Sequence, residues 1–271
     1  MAVLVCTTLA ALACSPTPVG SSSRCRTDGI MLICPHSTRV LTAGGMAREV
    51  HHQVPRGTPP AAGWPVAIMF QGSVATAELT WSASPLYPLG GYHQTRTVQY
   101  LLDAGYAVLT PETHLGGVTF WDTNNVLIGN YYESYDHALM LEMFDEIDEG
   151  SFGDLDGSRL YATGISSGGY MTSRMALSYP GRFKALAIQS ASYATCAGIL
   201  CDVGPIPSDH APTLFLHGAL DPIVPIFTMD AYRNKLGSQG IETRRVVDPL
   251  SHHEWIPQAP DAIRAWFQRF P

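Results

Sequence analysis

The feature that most constrains the fold is the alternation, from residue 60 onward, of short apolar segments with segments of helical periodicity. Residues Val66–Gln71 form an apolar run that ends at Gly72, as expected for a strand buried on both faces. Further strands are predicted at Tyr106–Thr110, Leu160–Gly164, Lys184–Ser190, Thr213–His217 and Glu242–Val247. Strands that alternate with helices favour an α/β fold, with a mostly parallel sheet covered by helices on both faces.

The helical segments between these strands are amphipathic. In Tyr131–Glu149, apolar side chains recur at Leu139, Met143 and Ile147, while the opposite face is acidic. Similar patterns predict helices at Thr95–Ala104, at Ser167–Tyr179, at Thr228–Leu236 and from Pro260 onward. The chain has no internal repeat and no linker that would divide it, so residues 21–271 are expected to form one domain.

Composition excludes several classes of protein. The chain of 271 residues is 46% hydrophobic and 14% charged, which is too apolar and too weakly charged for an intrinsically disordered protein. The formal net charge of −7 and the lack of any basic run argue against a nucleic-acid partner. No apolar stretch of 18 or more residues follows residue 20, so no membrane span is expected.

The first 20 residues are interpreted as an export segment. Residues 2–14 carry no charge and have the length of the apolar region of a signal peptide, although no basic residue precedes them. Small residues at Ala11, Ala13 and Ser15 would suit cleavage, and we therefore expect a secreted protein. The alternatives are a lipoprotein signal ending at Cys14 and a buried N-terminal segment.

The cysteines agree with export. Without residues 1–20 the chain retains Cys25, Cys34, Cys196 and Cys201. Proximity along the chain favours the pairs Cys25–Cys34 and Cys196–Cys201 among the three possible connectivities. The alternative is four buried free thiols. Neither pair has the spacing of a zinc-binding motif, so no metal site is expected.

The motif that carries chemistry lies between a predicted strand and a predicted helix. Residues 164–168 have the pattern G-x-S-x-G, with Ser166 at the centre. In such a turn the serine has a strained backbone and projects above the sheet, while the glycines remove clashes. The following helix N-terminus favours developing negative charge. Ser166 is therefore the candidate nucleophile, and the alternative is a glycine-rich turn with an incidental serine.

A serine nucleophile needs a base, and the base needs an orienting acid. In this class of fold the acid and then the histidine follow the serine along the chain. Asp221 lies just past the predicted strand Thr213–His217, at the edge where α/β sheets bind ligands. His252 and His253 fall in the loop before the last helix and are the candidate bases. His217, at the end of its strand, is interpreted as a hydrogen-bonded structural histidine.

Two backbone N–H groups are expected to bind the oxyanion. One belongs to Ser167, which directly follows the candidate nucleophile. The other is expected from the loop at residues 71–73, most simply the amide of Ser73, although neighbouring amides would serve equally. Gly72 permits a close approach of the backbone to the site.

Several segments carry a family resemblance: GISSGGYM at 164–171, His-Gly at 217–218 with Asp221, Val-Pro at 224–225 and His-Glu-Trp at 253–255. Over residues 60–271 the chain resembles the polyester-depolymerase branch of the α/β-hydrolases, and in particular the extracellular medium-chain-length polyhydroxyalkanoate depolymerases. The resemblance implies an α/β-hydrolase fold without an appended binding domain, no cofactor, and His253 rather than His252 as the base. The family's usual His-Gly at the oxyanion strand is Gln71-Gly72 here.

The function implied by the resemblance is that of a secreted serine hydrolase. Ser166 would attack an ester carbonyl of an aliphatic polyester, His253 would transfer the proton, and Asp221 would orient His253. The partner would then be a hydrophobic polyester. The alternatives are a small-ester or feruloyl-type esterase, a polyamide hydrolase, and a catalytically inactive relative that only binds. The presence of all three triad residues in order argues against the inactive relative.

Aromatic residues on predicted loops are the expected contacts with a polyester surface, because they give a large contact area at little entropic cost. The candidates are Trp81, Tyr87, Tyr92 and Trp121. The segment Val40–Leu41 is expected to contribute to the same surface. The alternative is that these rings belong to the core.

Overall fold

The computed structural model describes residues 22–73, 75–114, 119–123, 129–196 and 201–271. The expected export segment, residues 1–20, lies outside the described residues. Within the described ranges, no helix combines the length and the hydropathy needed to cross a bilayer.

The described residues form eleven strands and five α-helices. The strands are β1 (Arg26–Asp28), β2 (Met31–Ile33), β3 (Ser37–Ala43), β4 (Met46–Gln53), β5 (Trp64–Phe70), β6 (Ser82–Ala83), β7 (Ala107–Pro111), β8 (Leu155–Ile165), β9 (Phe183–Gln189), β10 (Thr213–Gly218) and β11 (Thr243–Asp248). The helices are α1 (Gly91–Asp103), α2 (Tyr135–Asp148), α3 (Ser167–Ser178), α4 (Ile226–Ser238) and α5 (Ala259–Gln268). Short 3-10 helices occur at Ala77–Trp81, Pro88–Gly90 and Tyr131–Glu133.

Eight strands form the central sheet, in the spatial order β11-β10-β9-β8-β5-β7-β4-β3. The six strands from β11 to β7 are parallel to one another, whereas β4 and β3 pair in the antiparallel sense at one edge. Strands β1, β2 and β6 form a separate small sheet. The predicted α/β fold with a mostly parallel sheet is thus confirmed.

The side chains of β5 explain why both faces of the sheet are covered. Val66, Ile68 and Phe70 pack into the apolar cluster that contains α2 and α3. Ala67 and Met69 point to the opposite face and pack with α1 and α5. Alternate residues of a strand face opposite sides, so a strand buried on both sides needs the continuous apolar run seen here.

The helix predicted from Tyr131 begins four residues later, at Tyr135. Ser134 caps it, because the Ser134 hydroxyl oxygen accepts a hydrogen bond from the His137 N–H at 3.1 Å. The residues before the cap form a 3-10 turn instead. A serine that satisfies a free N–H of the first turn sets a helix start more strongly than apolar periodicity does.

Two disulfide bonds join Cys25 to Cys34 and Cys196 to Cys201. These are the pairs that proximity along the chain favours. The first bond ties together the ends of the β1–β2 hairpin, and the second joins two cysteines that follow β9 along the chain. Disulfide bonds of this kind are consistent with a protein of an oxidising compartment.

Candidate active site

Ser166 lies in the sharp turn between β8 and α3, with φ +55° and ψ −123°. A positive φ is rare for a residue other than glycine and persists only where its surroundings hold it. Here the Ser166 N–H donates to the Gln189 carbonyl at 3.1 Å, and the Ser166 carbonyl accepts from the Tyr170 N–H at 3.0 Å. This is the strained strand-to-helix turn that the G-x-S-x-G motif predicts.

The two glycines of the motif allow three backbone segments to meet behind Ser166. A Cβ atom on Gly168 would overlap the carbonyl oxygens of Phe70 and Gln71, at the end of β5. A Cβ atom on Gly164 would overlap the carbonyl of Gly168. Neither position could therefore hold alanine without a shift of the backbone, which fixes the turn beside the end of β5.

Asp221 and His253 form a hydrogen-bonded pair near this turn. His253 Nδ1 lies 2.8 Å from Asp221 Oδ2. The other carboxylate oxygen, Oδ1, accepts hydrogen bonds from the N–H groups of Ile223 at 2.9 Å and Val224 at 2.8 Å. With its Nδ1–H donated to the carboxylate, the imidazole of His253 keeps Nε2 available to accept a proton.

His217 also contacts the carboxylate of Asp221. Its Nε2 atom lies 3.3 Å from Asp221 Oδ2 and 2.9 Å from the carbonyl oxygen of Val224. Burial by itself would raise the pKa of Asp221, but the hydrogen bonds from His217, His253 and the Val224 N–H outweigh it and hold that pKa well below its ordinary value. Asp221 is therefore ionised at neutral pH.

All three candidate triad residues follow carboxyl ends of parallel strands. Ser166 follows β8, Asp221 follows β10 and His253 follows β11. Ser166 and His253 line the same cavity of about 430 Å³, which we call the Ser166 cavity. The edge formed by the carboxyl ends of parallel strands is where α/β folds bind ligands.

The walls of the Ser166 cavity are mainly apolar. Large exposed side chains that line it are Leu79, Tyr87, Leu89 and Ile223, and we call these four the mouth residues. Trp255 closes the inner wall and is buried. Such a cavity suits an aliphatic group better than a charged or strongly polar one.

The expected oxyanion residues also lie at this cavity. Ser73 lines it beside Gly72 and Ser166. A Cβ atom on Gly72 would stand 3.7 Å from the Cβ of Ser166, so the loop after β5 passes close to the candidate nucleophile. Ser167 follows Ser166 at the first position of α3 and is nearly buried.

Trp121 contacts both sides of this expected oxyanion site. Its backbone N–H donates to the Ser167 hydroxyl oxygen at 2.8 Å, and its indole N–H donates to the Gln71 carbonyl at 3.0 Å. Its ring packs edge-to-face on Phe70, with centroids 5.1 Å apart. Trp121 is therefore a candidate for holding the expected oxyanion site in place. The sequence does not indicate this role.

The prediction that Trp81 and Trp121 contact substrate is wrong. Each is only 1% exposed. The indole N–H of Trp81 donates to the Thr110 hydroxyl at 2.7 Å, and that of Trp121 reaches Gln71, so both rings can be buried without an unpaired donor. Tyr92 is partly buried on α1, and Tyr87 alone among the four lines the cavity.

The segment Val40–Leu41 does not reach this mouth. Val40 is exposed on β3, an edge strand of the sheet, and the Leu41 side chain packs in the core. The prediction that these two residues add to a surface at the cavity is wrong, because β3 lies at the far end of the sheet from β10 and β11.

One wall of the cavity is tied to the loop that holds His253. The Leu89 carbonyl accepts a hydrogen bond from the Trp255 N–H at 3.0 Å. Leu89 has a φ of +56°, and the next residue, Gly90, has a φ of +68°. A Cβ atom on Gly90 would overlap the Trp255 backbone, so only glycine allows this close approach.

Comparisons with known proteins bear on the family and on the fold. The model of the prolyl oligopeptidase family matches residues 92–198. A thermostable esterase of known structure superimposes with a TM-score of 0.63 at 18% identity, over 86% of this chain and 62% of that one. The feruloyl esterase B of Thermothelomyces thermophilus is 34% identical over 118 residues, which is 41% of this chain and 39% of that protein.

A longer match comes from the poly(3-hydroxyoctanoate) depolymerase of Pseudomonas fluorescens. It is 47% identical over 241 residues, which is 88% of this chain and 86% of that protein. An identity at this level over nearly the whole length establishes family membership, and the sheet order and the serine turn agree with it. The chain therefore belongs to the polyhydroxyalkanoate depolymerase family of the α/β-hydrolases and is an ester hydrolase.

Proposed function

We propose that the protein is a secreted serine hydrolase that degrades polyesters of medium-chain-length 3-hydroxyalkanoic acids. The observation that carries this proposal is the Ser166 cavity, in which the candidate nucleophile and base meet a mainly aliphatic wall. A polymer whose repeating unit bears an alkyl side chain places an ester carbonyl beside an apolar group, and the cavity offers partners for both.

The proposed reaction follows the Ser-His-Asp mechanism. Ser166 Oγ attacks the ester carbonyl while His253 Nε2 accepts the hydroxyl proton. The imidazolium then donates this proton to the alkoxide oxygen that leaves, which frees one end of the cut polymer. Water then attacks the acyl-enzyme with His253 again as base, the imidazolium returns this proton to Ser166 Oγ, and the carboxylic acid product departs.

The surroundings of Asp221 suit the role of orienting acid. The carboxylate is shielded from solvent and accepts hydrogen bonds from two backbone N–H groups as well as from His253. An ionised partner at Nδ1 stabilises the imidazolium that forms when His253 takes the proton. We assign stabilisation of the oxyanion to the N–H groups of Ser167 and Ser73.

The apolar wall would select for side-chain length. Burial of each methylene group contributes about 0.8 kcal/mol, so a longer alkyl side chain gains binding energy until the cavity is filled. The relative from Pseudomonas fluorescens is named for a polymer with such side chains. We therefore place the polymer side chain against Leu79 and Ile223.

The mouth residues would also hold the enzyme on the polymer surface. Leu89 and Ile223 are 53% and 59% exposed at the cavity rim, an arrangement that suits adsorption to an apolar solid. We further propose that residues 1–20 direct export and that residues 21–271 form the single catalytic domain. The two disulfide bonds support an extracellular location.

Emulsions of poly(3-hydroxyoctanoate) and poly(3-hydroxybutyrate) test the substrate, with the fall in turbidity as readout. The proposal predicts clearing of the octanoate polymer at a rate at least about tenfold above that of the butyrate polymer, and no clearing by Ser166→Ala. Equal rates on both polymers would contradict the proposal that the apolar wall of the Ser166 cavity selects for side-chain length.

A feruloyl-type esterase is the second candidate, because the partial match to feruloyl esterase B favours it. Methyl ferulate and a soluble p-nitrophenyl alkanoate separate the two functions. An enzyme that hydrolyses methyl ferulate but clears neither polymer is a small-ester esterase, and the depolymerase proposal then fails.

A further inference from the structure

A cluster of histidine and glutamate side chains lies outside the active site, where β4 meets the 3-10 helix at residues 77–81. His36 Nε2 is 2.8 Å from Glu78 Oε2, and His51 Nδ1 is 3.7 Å from the same oxygen. The three potential ligand atoms of these residues all lie within 4.8 Å of one another. Two imidazole nitrogens and one carboxylate oxygen thus lie close enough together to be candidate ligands of one ion.

The far nitrogen of each imidazole faces an oxygen atom. His36 Nδ1 lies 3.4 Å from the Cys34 carbonyl, and His51 Nε2 lies 3.7 Å from Glu112 Oε1. Histidines that bind metal ions nearly always donate their other N–H to a carbonyl or carboxylate, which fixes the ring and makes the ligand nitrogen more basic. The His36 ring is held in this way, whereas His51 Nε2 stands 3.7 Å from the Glu112 carboxylate and has no hydrogen-bond partner among the described residues.

The charge around the cluster favours a cation. Three carboxylates, those of Glu49, Glu78 and Glu112, lie within 4 Å of a histidine nitrogen. Among the described residues, none of these carboxylates forms an ion pair with a lysine or arginine. Glu49 and Glu78 are more than half exposed, so an ion could reach the cluster from solvent.

We propose that His36, His51 and Glu78 bind one divalent transition-metal ion, and that Zn²⁺ is the ion whose chemistry fits best. Zn²⁺ accepts imidazole nitrogen and carboxylate oxygen together, with a water molecule in the fourth position. Ca²⁺ and Mg²⁺ prefer sites made of oxygen atoms alone. Exposed Glu78 can move toward the ion, while the Thr38 hydroxyl, 2.9 Å from His51 Nδ1, must turn away.

The bound ion would brace one wall of the Ser166 cavity. Glu78 precedes Leu79, a mouth residue, and the Ala77 N–H already donates to Glu112 at 2.7 Å. His36 belongs to the segment that the Cys25–Cys34 disulfide anchors. The ion would thus join three parts of the chain and act structurally, with no part in ester hydrolysis.

Sequence spacing does not reveal this site. The ligands come from three segments, before β3, in β4 and in a 3-10 helix, and none of them has a short metal-binding spacing to another. The expectation of no metal rests on the spacing of the cysteines and on the lack of a histidine that follows them at a zinc-finger interval. Only the packing of β4 against residues 77–81 brings the side chains together.

Titration with ZnCl₂ tests the proposal. Protein freed of metal with a chelator is dialysed and titrated calorimetrically, and bound zinc is measured by elemental analysis. We expect one equivalent of Zn²⁺ per chain and a rise in melting temperature on binding. His36→Ala and Glu78→Gln should each weaken binding by at least about tenfold.

His52→Ala is the matched control. His52 neighbours His51 on β4, but its ring packs edge-to-face on Phe152 on the other side of the strand. This variant should bind zinc as the unmodified protein does. The site would be overturned if the unmodified protein did not bind Zn²⁺ at micromolar concentration. It would also be overturned if His36→Ala and Glu78→Gln bound Zn²⁺ as tightly as the unmodified protein does. Esterase activity of the metal-free protein tests the proposed hydrolysis separately.

Discussion

His217 and Asp221 share a hydrogen bond that places a second histidine on the candidate catalytic carboxylate. His217 Nε2 lies between Asp221 Oδ2, at 3.3 Å, and the Val224 carbonyl, at 2.9 Å. Since both partners are acceptors, Nε2 carries the proton. Among the described residues, His217 Nδ1 has no hydrogen-bond partner, so the ring acts on Asp221 through the Nε2–H donor.

Replacement of His217 therefore tests a positioning role. His217→Leu removes one donor to Asp221, and we expect kcat to fall about tenfold with little change in KM, because a less firmly held carboxylate orients His253 less well. His217→Gln, whose amide N–H can replace Nε2–H, should recover most of kcat. Equal losses in both variants, in step with their melting temperatures, would indicate a purely structural role.

The choice between adjacent histidines gives a second prediction. His253→Ala should lower turnover of a soluble ester on the order of 10⁴-fold or more, because the base is lost. His252→Ala should lower it far less, because the His252 ring is exposed and its Nδ1 faces the Leu220 carbonyl, at 3.2 Å, rather than the Asp221 carboxylate. An inactive His252→Ala together with an active His253→Ala would reverse the assignment.

The hydrogen bond from Trp121 to Gln71 is expected to hold the oxyanion site. Trp121→Phe keeps a ring against Phe70 but loses the indole N–H, and we expect kcat to fall about tenfold, less than the loss of a direct oxyanion donor. The affinity for a boronic acid transition-state analogue should fall in parallel.

Trp81→Phe is the control for this substitution. It also removes a buried indole hydrogen bond, the one to Thr110 at 2.7 Å, and neither of these residues lines the Ser166 cavity. Both variants should lose about 1 kcal/mol of stability, while only Trp121→Phe should lose kcat. If Trp81→Phe loses as much turnover, the loss comes from general destabilisation.

A further prediction is that the enzyme adsorbs to a polymer surface through the mouth residues. The double variant Leu79→Ser and Ile223→Ser should bind poly(3-hydroxyoctanoate) particles more weakly, by about tenfold or more, because two exposed apolar contacts are lost. Hydrolysis of p-nitrophenyl acetate, which needs no long apolar contact, should change little. Co-sedimentation with particles measures the binding.

Val40→Ser is the control for adsorption, since Val40 is as exposed as Ile223, at 59%, but lies on an edge strand away from the cavity. Its binding to particles should match that of the unmodified protein. Equal loss from Val40→Ser and from the mouth variant would mean that adsorption is not localised at the cavity.

The strand-turn-helix around Ser166 could be predicted because its determinants are local. A buried run, the flanking glycines and a helical pattern follow one another within about 20 residues, and chain order then points to Asp221 and His253. The parallel strands could be predicted for the same reason, since burial on both faces leaves a continuous apolar pattern.

The environments of Trp81 and Trp121 could not be predicted in this way. The sequence does not show which acceptor the indole N–H of each ring will meet, and the acceptors of Trp81 and Trp121 lie 29 and 50 positions away along the chain. The second donor to Asp221 and the cluster around His51 depend likewise on tertiary packing. Local pattern carries no information on such contacts.

The most direct test of the central claim is stoichiometric labelling of Ser166 with a fluorophosphonate. The account predicts one adduct per chain, located on Ser166 by peptide mass spectrometry, with parallel loss of poly(3-hydroxyoctanoate) clearing and of soluble-ester hydrolysis as labelling proceeds. Continued clearing of the polymer by protein whose Ser166 is fully labelled would contradict it.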